Sequence, residues 1–126
     1  TCVALALVLV IAAPLTMPAA AQDFGDGWKA YLEGNYKEAL RHWRPLANEG
    51  DPATQYSVGV MYSEGQGVKK NHATAAKWFR AAATQGNSDA QYNLGYMYDA
   101  GLGVDQDQDE ALKWYRLAAE GGNANA

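Results

Sequence analysis

Few side chains in this sequence could make or break bonds, and their spacing argues against most of that chemistry. His42 and His72 stand in different segments, neither with a second ligand at metal spacing. Asp105, Asp107 and Asp109 alternate like the opening of a calcium loop, which wants Gly at its sixth place and Glu at its twelfth. Glu110 and Arg116 occupy those places. Acids at the start of a helix, favoured by its dipole, account for the three better. Gly65-x-Gly67 and Gly101-x-Gly103 lack the third glycine and the preceding strand of a dinucleotide fingerprint and read as loops. No Ser/His/Asp arrangement or paired-carboxylate site stands out. The expectation is a protein that is not an enzyme, with no catalytic residue, no metal and no cofactor. The competing reading is a periplasmic hydrolase acting on cell-wall or antibiotic substrates. It would need convergent acid, base or nucleophile groups, and none are visible.

The 126 residues carry 10 basic and 14 acidic side chains, a net charge of −4 with no basic block. That balance disfavours nucleic acid and anionic membrane as partners. Residues 3–13, VALALVLVIAA, are an uncharged apolar run, followed by Pro14, Pro18 and the small-residue triplet Ala19-Ala20-Ala21. This is the pattern of a signal peptide. It predicts an N-terminally incomplete signal over 1–21, cleavage before Gln22, no membrane span afterwards, and a periplasmic or secreted product of the cell envelope, with an uncleaved membrane anchor as the alternative. The single cysteine, Cys2, precedes the apolar run, so the mature chain would hold no thiol for a disulfide or a nucleophile.

The elements that would position any site are set by an internal duplication. Slid by about 36 residues, a period typical of helical repeats, Gly50–Gln85 matches Gly86–Gly121 without a gap. Paired positions include Gly59/Gly95, Tyr62/Tyr98, Gly65/Gly101, Gly67/Gly103, Ala75/Ala111 and Trp78/Trp114. Each copy predicts a helical hairpin. In the first, Asp51 is an N-cap and Pro52 a first helical residue. Helix A ends on Gly65, and Asn71 caps helix B with its stripe Ala75, Trp78, Phe79, Ala82, Ala83. In the second, Asn87 caps helix A, Asp107 to Glu110 form a capping-box-like start, and the stripe is Ala111, Trp114, Tyr115, Ala118, Ala119. Gly59 and Gly95 lie mid-helix, where glycine costs about 1 kcal/mol relative to alanine. Its recurrence in phase predicts close approach of helix A to helix B, with Trp78 or Trp114 and the Ala82/Ala83 positions packing there. Upstream, the spacing of Gly27, Tyr31, Gly34, Tyr36, Ala39, Leu40 and Trp43 predicts helices over about Phe24–Glu33 and Tyr36–Asn48, the second interrupted by Pro45.

These motifs resemble the Sel-one-like repeat family, relatives of the tetratricopeptide repeats. Thr54-Gln55, Val58-Gly59, Tyr62, Gly65-Gln66-Gly67-Val68, Ala75, Trp78 and Ala82-Ala83 carry the resemblance in one copy. Ala90-Gln91, Leu94-Gly95, Tyr98, Gly101-Leu102-Gly103-Val104, Ala111, Trp114 and Ala118-Ala119 carry it in the other. The opening unit lacks the G-x-G-V loop and looks like an ordinary tetratricopeptide hairpin. The division is therefore signal 1–21, tetratricopeptide-like hairpin 22–49, Sel-one-like repeats 50–85 and 86–121, and the start of a truncated further repeat at 122–126. Together with the predicted signal, the resemblance implies an all-α, right-handed α-solenoid of three antiparallel helix hairpins, read as an exported scaffold that binds a protein or peptide. It supplies no catalytic residues.

By analogy with tetratricopeptide repeats, the A helices line the concave side. The positions there not used between helices are Tyr56, Val60, Ser63 and Glu64, then Tyr92, Tyr96, Asp99 and Ala100. Tyrosine suits such a face because it offers large rigid area with one polar end. Tyr56 and Tyr92, being repeated, also fit a role in the packing between units, whereas Tyr96 replaces Val60 and is the clearest contact position. The third hairpin shows no polar terminal cap, so self-association through it is expected as well.

Overall fold

In a computed structural model, residues 17–123 and 125 are described, and the chain forms six helices in antiparallel pairs. They are α1 (Ala19–Leu32), α2 (Tyr36–Asn48), α3 (Pro52–Glu64), α4 (His72–Thr84), α5 (Ser88–Ala100) and α6 (Gln108–Glu120). The apolar run 3–13 and Cys2 lie outside the described residues, as do Ala124 and Ala126 of the expected further repeat. No strand occurs among the described residues, and each helix packs chiefly on its neighbours in sequence. The architecture is an all-α helical-repeat solenoid.

Local chemistry explains the helix boundaries. The side chains of Asp51, Asn71 and Asn87 accept from the N–H groups of Thr54, Thr74 and Ala90, at 2.8, 3.0 and 2.9 Å. Asp107 accepts from both Asp109 and Glu110. The reciprocal half of a capping box is absent there, because the Asp107 N–H instead donates to Tyr98 O at 3.0 Å. Asn71 makes the matching bond to Tyr62 O at 2.9 Å, so each B helix is stitched to the A helix of its own hairpin. The first helix starts earlier than expected. Pro18 is its N-cap, and the alanines read as a cleavage motif form its first turn, as strong helix formers do. The cut before Gln22 therefore falls inside α1. Helix α2 runs through Pro45 to Asn48.

Glycine sets the approach of the helices, though not against the residues expected. A Cβ on Gly59 would lie 2.8 Å from the Phe79 ring, and one on Gly95 would lie 2.9 Å from Tyr115. Trp43 fills the same role over Gly27. The rings that lie over the glycines are thus one residue beyond Trp78 and Trp114. Trp114 is buried in the core with Phe79, Leu94 and Met97, while Trp78 is half-buried against the core of the first hairpin and α3. The loop glycines do a second job. Gly67, at φ +70°, would place a Cβ 2.7 Å from the Tyr36 backbone, and Gly103, at φ +69°, would strike the His72 backbone. Each loop presses its second glycine onto the first turn of the preceding B helix, where neither a side chain nor a negative φ fits.

Hydrogen bonds between hairpins repeat in the same way. The Gln55 side chain donates to Ala47 O and that of Gln91 to Ala83 O, both at 3.1 Å and both buried. Arg44 donates to the Tyr62 hydroxyl at 3.0 Å, and Arg80 makes the same bond to Tyr98.

Candidate functional site

The A helices α1, α3 and α5 form one face, and two cavities follow one another along it. The first, about 190 Å³, is lined by Trp28, Tyr31, Trp43, Tyr56, Ser57 and Val60. The second, about 180 Å³, is lined by Val60, Ser63, Glu64, His72, Phe79, Asn93, Tyr96, Met97 and Leu102. Val60 belongs to both and forms the ridge between them. A larger hollow of about 500 Å³ lies beside the first turn of α1 and the α2–α3 turn, where Asp51 is already engaged as a helix cap.

The structure distributes the expected contact residues unevenly. Tyr96 is 50% exposed at the second cavity, beside Ser63 and exposed Glu64. Tyr56 and Tyr92 are half-buried, their rings 5.9 Å from Phe79 and 5.5 Å from Tyr115. Both therefore support their hairpins, and Tyr56 also lines the first cavity, whereas Tyr92 lines neither. Burial, reinforced by the negative charges of Asp89 and Glu64, pushes the Tyr56 hydroxyl above its usual pKa. Tyr115 is raised in the same way, by burial and then by Asp99. Asp99 is half-buried and its main-chain oxygen accepts from Gln106 at 2.9 Å. Ala100 is exposed.

Sequence reasoning missed α1's contribution. Trp28 is 47% exposed and stacks on Tyr31 with ring centroids 5.5 Å apart and planes parallel. The signal was present, since Trp28 follows Gly27 as Val60 follows Gly59 and Tyr96 follows Gly95. It was obscured because the opening hairpin's shorter turn breaks the period. Two polar edges of this aromatic cluster are satisfied within the protein: Trp43 Nε1 donates to Phe24 O at 3.1 Å and the Tyr31 hydroxyl to Gln66 Oε1 at 3.2 Å. What faces the groove is ring surface.

No catalytic constellation emerges among the described residues. His42 Nδ1 and Nε2 each lie 3.3 Å from a carboxylate, of Asp23 and Glu38 respectively. No hydroxyl or thiol among the described residues hydrogen-bonds to it, so the trio ties α1 to α2. His72 Nδ1 is buried at the second cavity without a hydrogen-bond partner. No group of three or more His, Cys, Asp or Glu side chains among the described residues is placed to hold a metal ion. No helix among them is long and apolar enough to cross a membrane.

Comparisons with known proteins agree with this architecture. A model of the Sel1 repeat matches residues 20–51, 52–87 and 88–123, taking in the opening hairpin as well as the two evident copies. A Sel1 repeat protein from Oxalobacter formigenes superposes with a TM-score of 0.71 at 40% identity, over 75% of this chain and 39% of that one. The antigen c5321 of uropathogenic Escherichia coli, which displays an SLR fold, gives 0.76 at 38% identity over 82% of this chain and 23% of its own. Helicobacter pylori cysteine rich protein B shares the fold, with a TM-score of 0.68 at 19% identity. A stretch of 42 residues is 45% identical to the ERAD-associated E3 ubiquitin-protein ligase component HRD3B of Arabidopsis thaliana, 32% of this chain and 7% of that protein. The chain thus spans well under half of the plant relative and of the first two structures.

Proposed function

Since the chain belongs to the Sel1 repeat family, whose members generally mediate protein–protein interaction and are generally non-catalytic, we propose that it is an exported scaffold that binds a protein or peptide along the α1–α3–α5 face. One observation carries the reading. Large aromatic surface, Trp28 at 47% and Tyr96 at 50% exposure, stands at two successive open cavities where hairpin packing does not consume it. Exposed aromatic area beside small cavities is what interface anchors use. The face would work by presentation: each hairpin fixes one segment of the groove through its contacts with its neighbours.

A photo-crosslinking residue placed at position 96, and separately at 113 on α6, tests the face in the native host. The expected result is a discrete crosslinked species from 96 that disappears with Trp28→Ala, and none from 113. Equal crosslinking from both positions overturns the assignment. The apolar run ahead of Pro14 and the alanines at 19–21 support export, for which an N-terminus at Gln22 in the periplasmic or secreted fraction is the expected measurement. An uncut cytoplasmic product overturns it.

A further inference from the structure

Basic side chains are absent from two of the three A helices. Every arginine lies on α2, α4 or α6, and α3 and α5 contain neither arginine nor lysine. The ionisable acids of α3 and α5 are Glu64, Asp89 and Asp99. The two cavities divide the remaining chemistry. The first is walled by the rings of Trp28, Tyr31, Trp43 and Tyr56, with Trp43 Nε1, the Tyr31 hydroxyl and the Ser57 hydroxyl bonded inside the protein, so it suits an apolar side chain. The second holds the Glu64 carboxylate, which has no ion pair among the described residues, beside the unpartnered Nδ1 of His72 and the open ring of Tyr96. No lysine or arginine lines it.

We propose that this groove selects an extended peptide segment that sets an aliphatic or aromatic side chain in the first cavity and a lysine or arginine in the second. The inference rests on the binding-face reading above and adds the chemistry of the partner. A cationic head would donate to the exposed Glu64 carboxylate, which has no ion pair of its own among the described residues. Its aliphatic stem would lie on the Tyr96 ring, where a cation also gains from the π face. Both cavities fall below the roughly 300 Å³ at which small-molecule sites begin, a size that fits single side chains. Long-range attraction has the same sign, since α3 and α5 carry no lysine or arginine, α1 carries Lys29 against Asp23 and Asp26, and the chain has a net charge of −4. An acidic peptide or a nucleic acid would meet repulsion on this face.

Selection of a random-peptide phage library on the immobilised full chain tests both levels. The expected outcome is enrichment of peptides that pair an apolar residue with lysine or arginine. Replacing that basic residue by glutamate should weaken a selected peptide by about tenfold or more, as befits a charge-assisted bond. Glu64→Arg should reverse the preference, with circular dichroism confirming the fold, and Trp28→Ala should weaken basic and acidic variants alike. Peptides that depend on Trp28 and Tyr96 but carry no basic bias, or a preference that Glu64→Arg leaves unchanged, overturn the basic specificity alone. Absence of enrichment, or binders indifferent to Trp28→Ala and Tyr96→Ala, overturns the binding face with it.

Discussion

Replacing glycine by alanine inside these helices should change stability in opposite directions at two positions, and the sign follows from what a Cβ would meet. Alanine is favoured over glycine by about 1 kcal/mol in a helix interior. At Gly25 in α1 a Cβ meets nothing within 4 Å, so Gly25→Ala should keep most of that gain. At Gly59 the Cβ would lie 2.8 Å from two carbons of the Phe79 ring, which is only 2% exposed and cannot swing into solvent. Overpacking of this kind costs about 1–3 kcal/mol, which outweighs the propensity gain. The expected net loss is about 1 kcal/mol, with a gain approaching that size at Gly25. For a domain of this length each kilocalorie moves Tm by about 4–8 °C. Thermal melts of both variants at matched concentration measure the difference. The double variant Gly59→Ala/Phe79→Leu isolates the cause, because leucine lacks the ring edge and the alanine should then cost nothing or stabilise. A rise in Tm for Gly59→Ala alone, or an equal cost in the Phe79→Leu background, would refute the packing argument.

The loop glycine Gly103 should be less tolerant still. Gly103→Ala incurs about 1–2 kcal/mol from its left-handed backbone besides the collision with the His72 backbone, so urea unfolding should show a larger loss than for Gly59→Ala. Gln85→Ala should cost about 1–3 kcal/mol by leaving the buried Gln55 Oε1 without the donor it has at 2.8 Å; an unchanged urea midpoint would contradict this. Tyr56, with a folded pKa above the ordinary value near 10, should contribute stability that is fully present below pH 10 and lost as pH rises through the folded value. Tyr56→Phe should therefore flatten the alkaline limb of stability against pH, and an unchanged limb would count against the burial effect.

The hairpins from Gly50 onward were legible because their signals are local and repeated. Asp51, Asn71, Asn87 and Asp107 are polar caps at fixed distances from apolar stripes, and each caps the helix it should. Three features were harder, each for a physical reason. Ala19–Ala21 fit the pattern of a cleavage motif as well as that of a helix start, so local chemistry alone did not place the start of α1. Phe79 and Trp78 are adjacent on one helix, and a pattern with a period of 3.6 does not say which of two neighbouring aromatics meets the partner's glycine. The discriminating signal lay in the first hairpin, where Trp43 shares the phase of Phe79 and Tyr115 while His42 shares that of the tryptophans. The role of Gly67 and Gly103 involves a contact with a different hairpin, beyond the reach of any local rule. On the candidate site, Tyr96 was legible as the residue that breaks the repeat, whereas Trp28 was hidden by the shorter turn.

The same comparison of phases shows where one hairpin stops sufficing for itself. Ala76 and Ala83 are buried by α5, but their counterparts Leu112 and Ala119 are exposed, since no helix follows α6 among the described residues. Gln85 bridges Gly50 O and Gln55 Oε1, yet its counterpart is Gly121, and Gln91 Oε1 is left buried without a partner. An added side chain at 121 would meet Ser88 Cβ at 2.9 Å, so the gap cannot be filled without moving the start of α5. Each hairpin is therefore completed partly by its own residues and partly by those of the next, which is how nearest-neighbour stability arises in a repeat stack. The groove inherits that dependence. Val60 on α3 separates the two cavities, and each cavity takes its other wall from a different neighbouring A helix, so the spacing of its two subsites is set by hairpin packing.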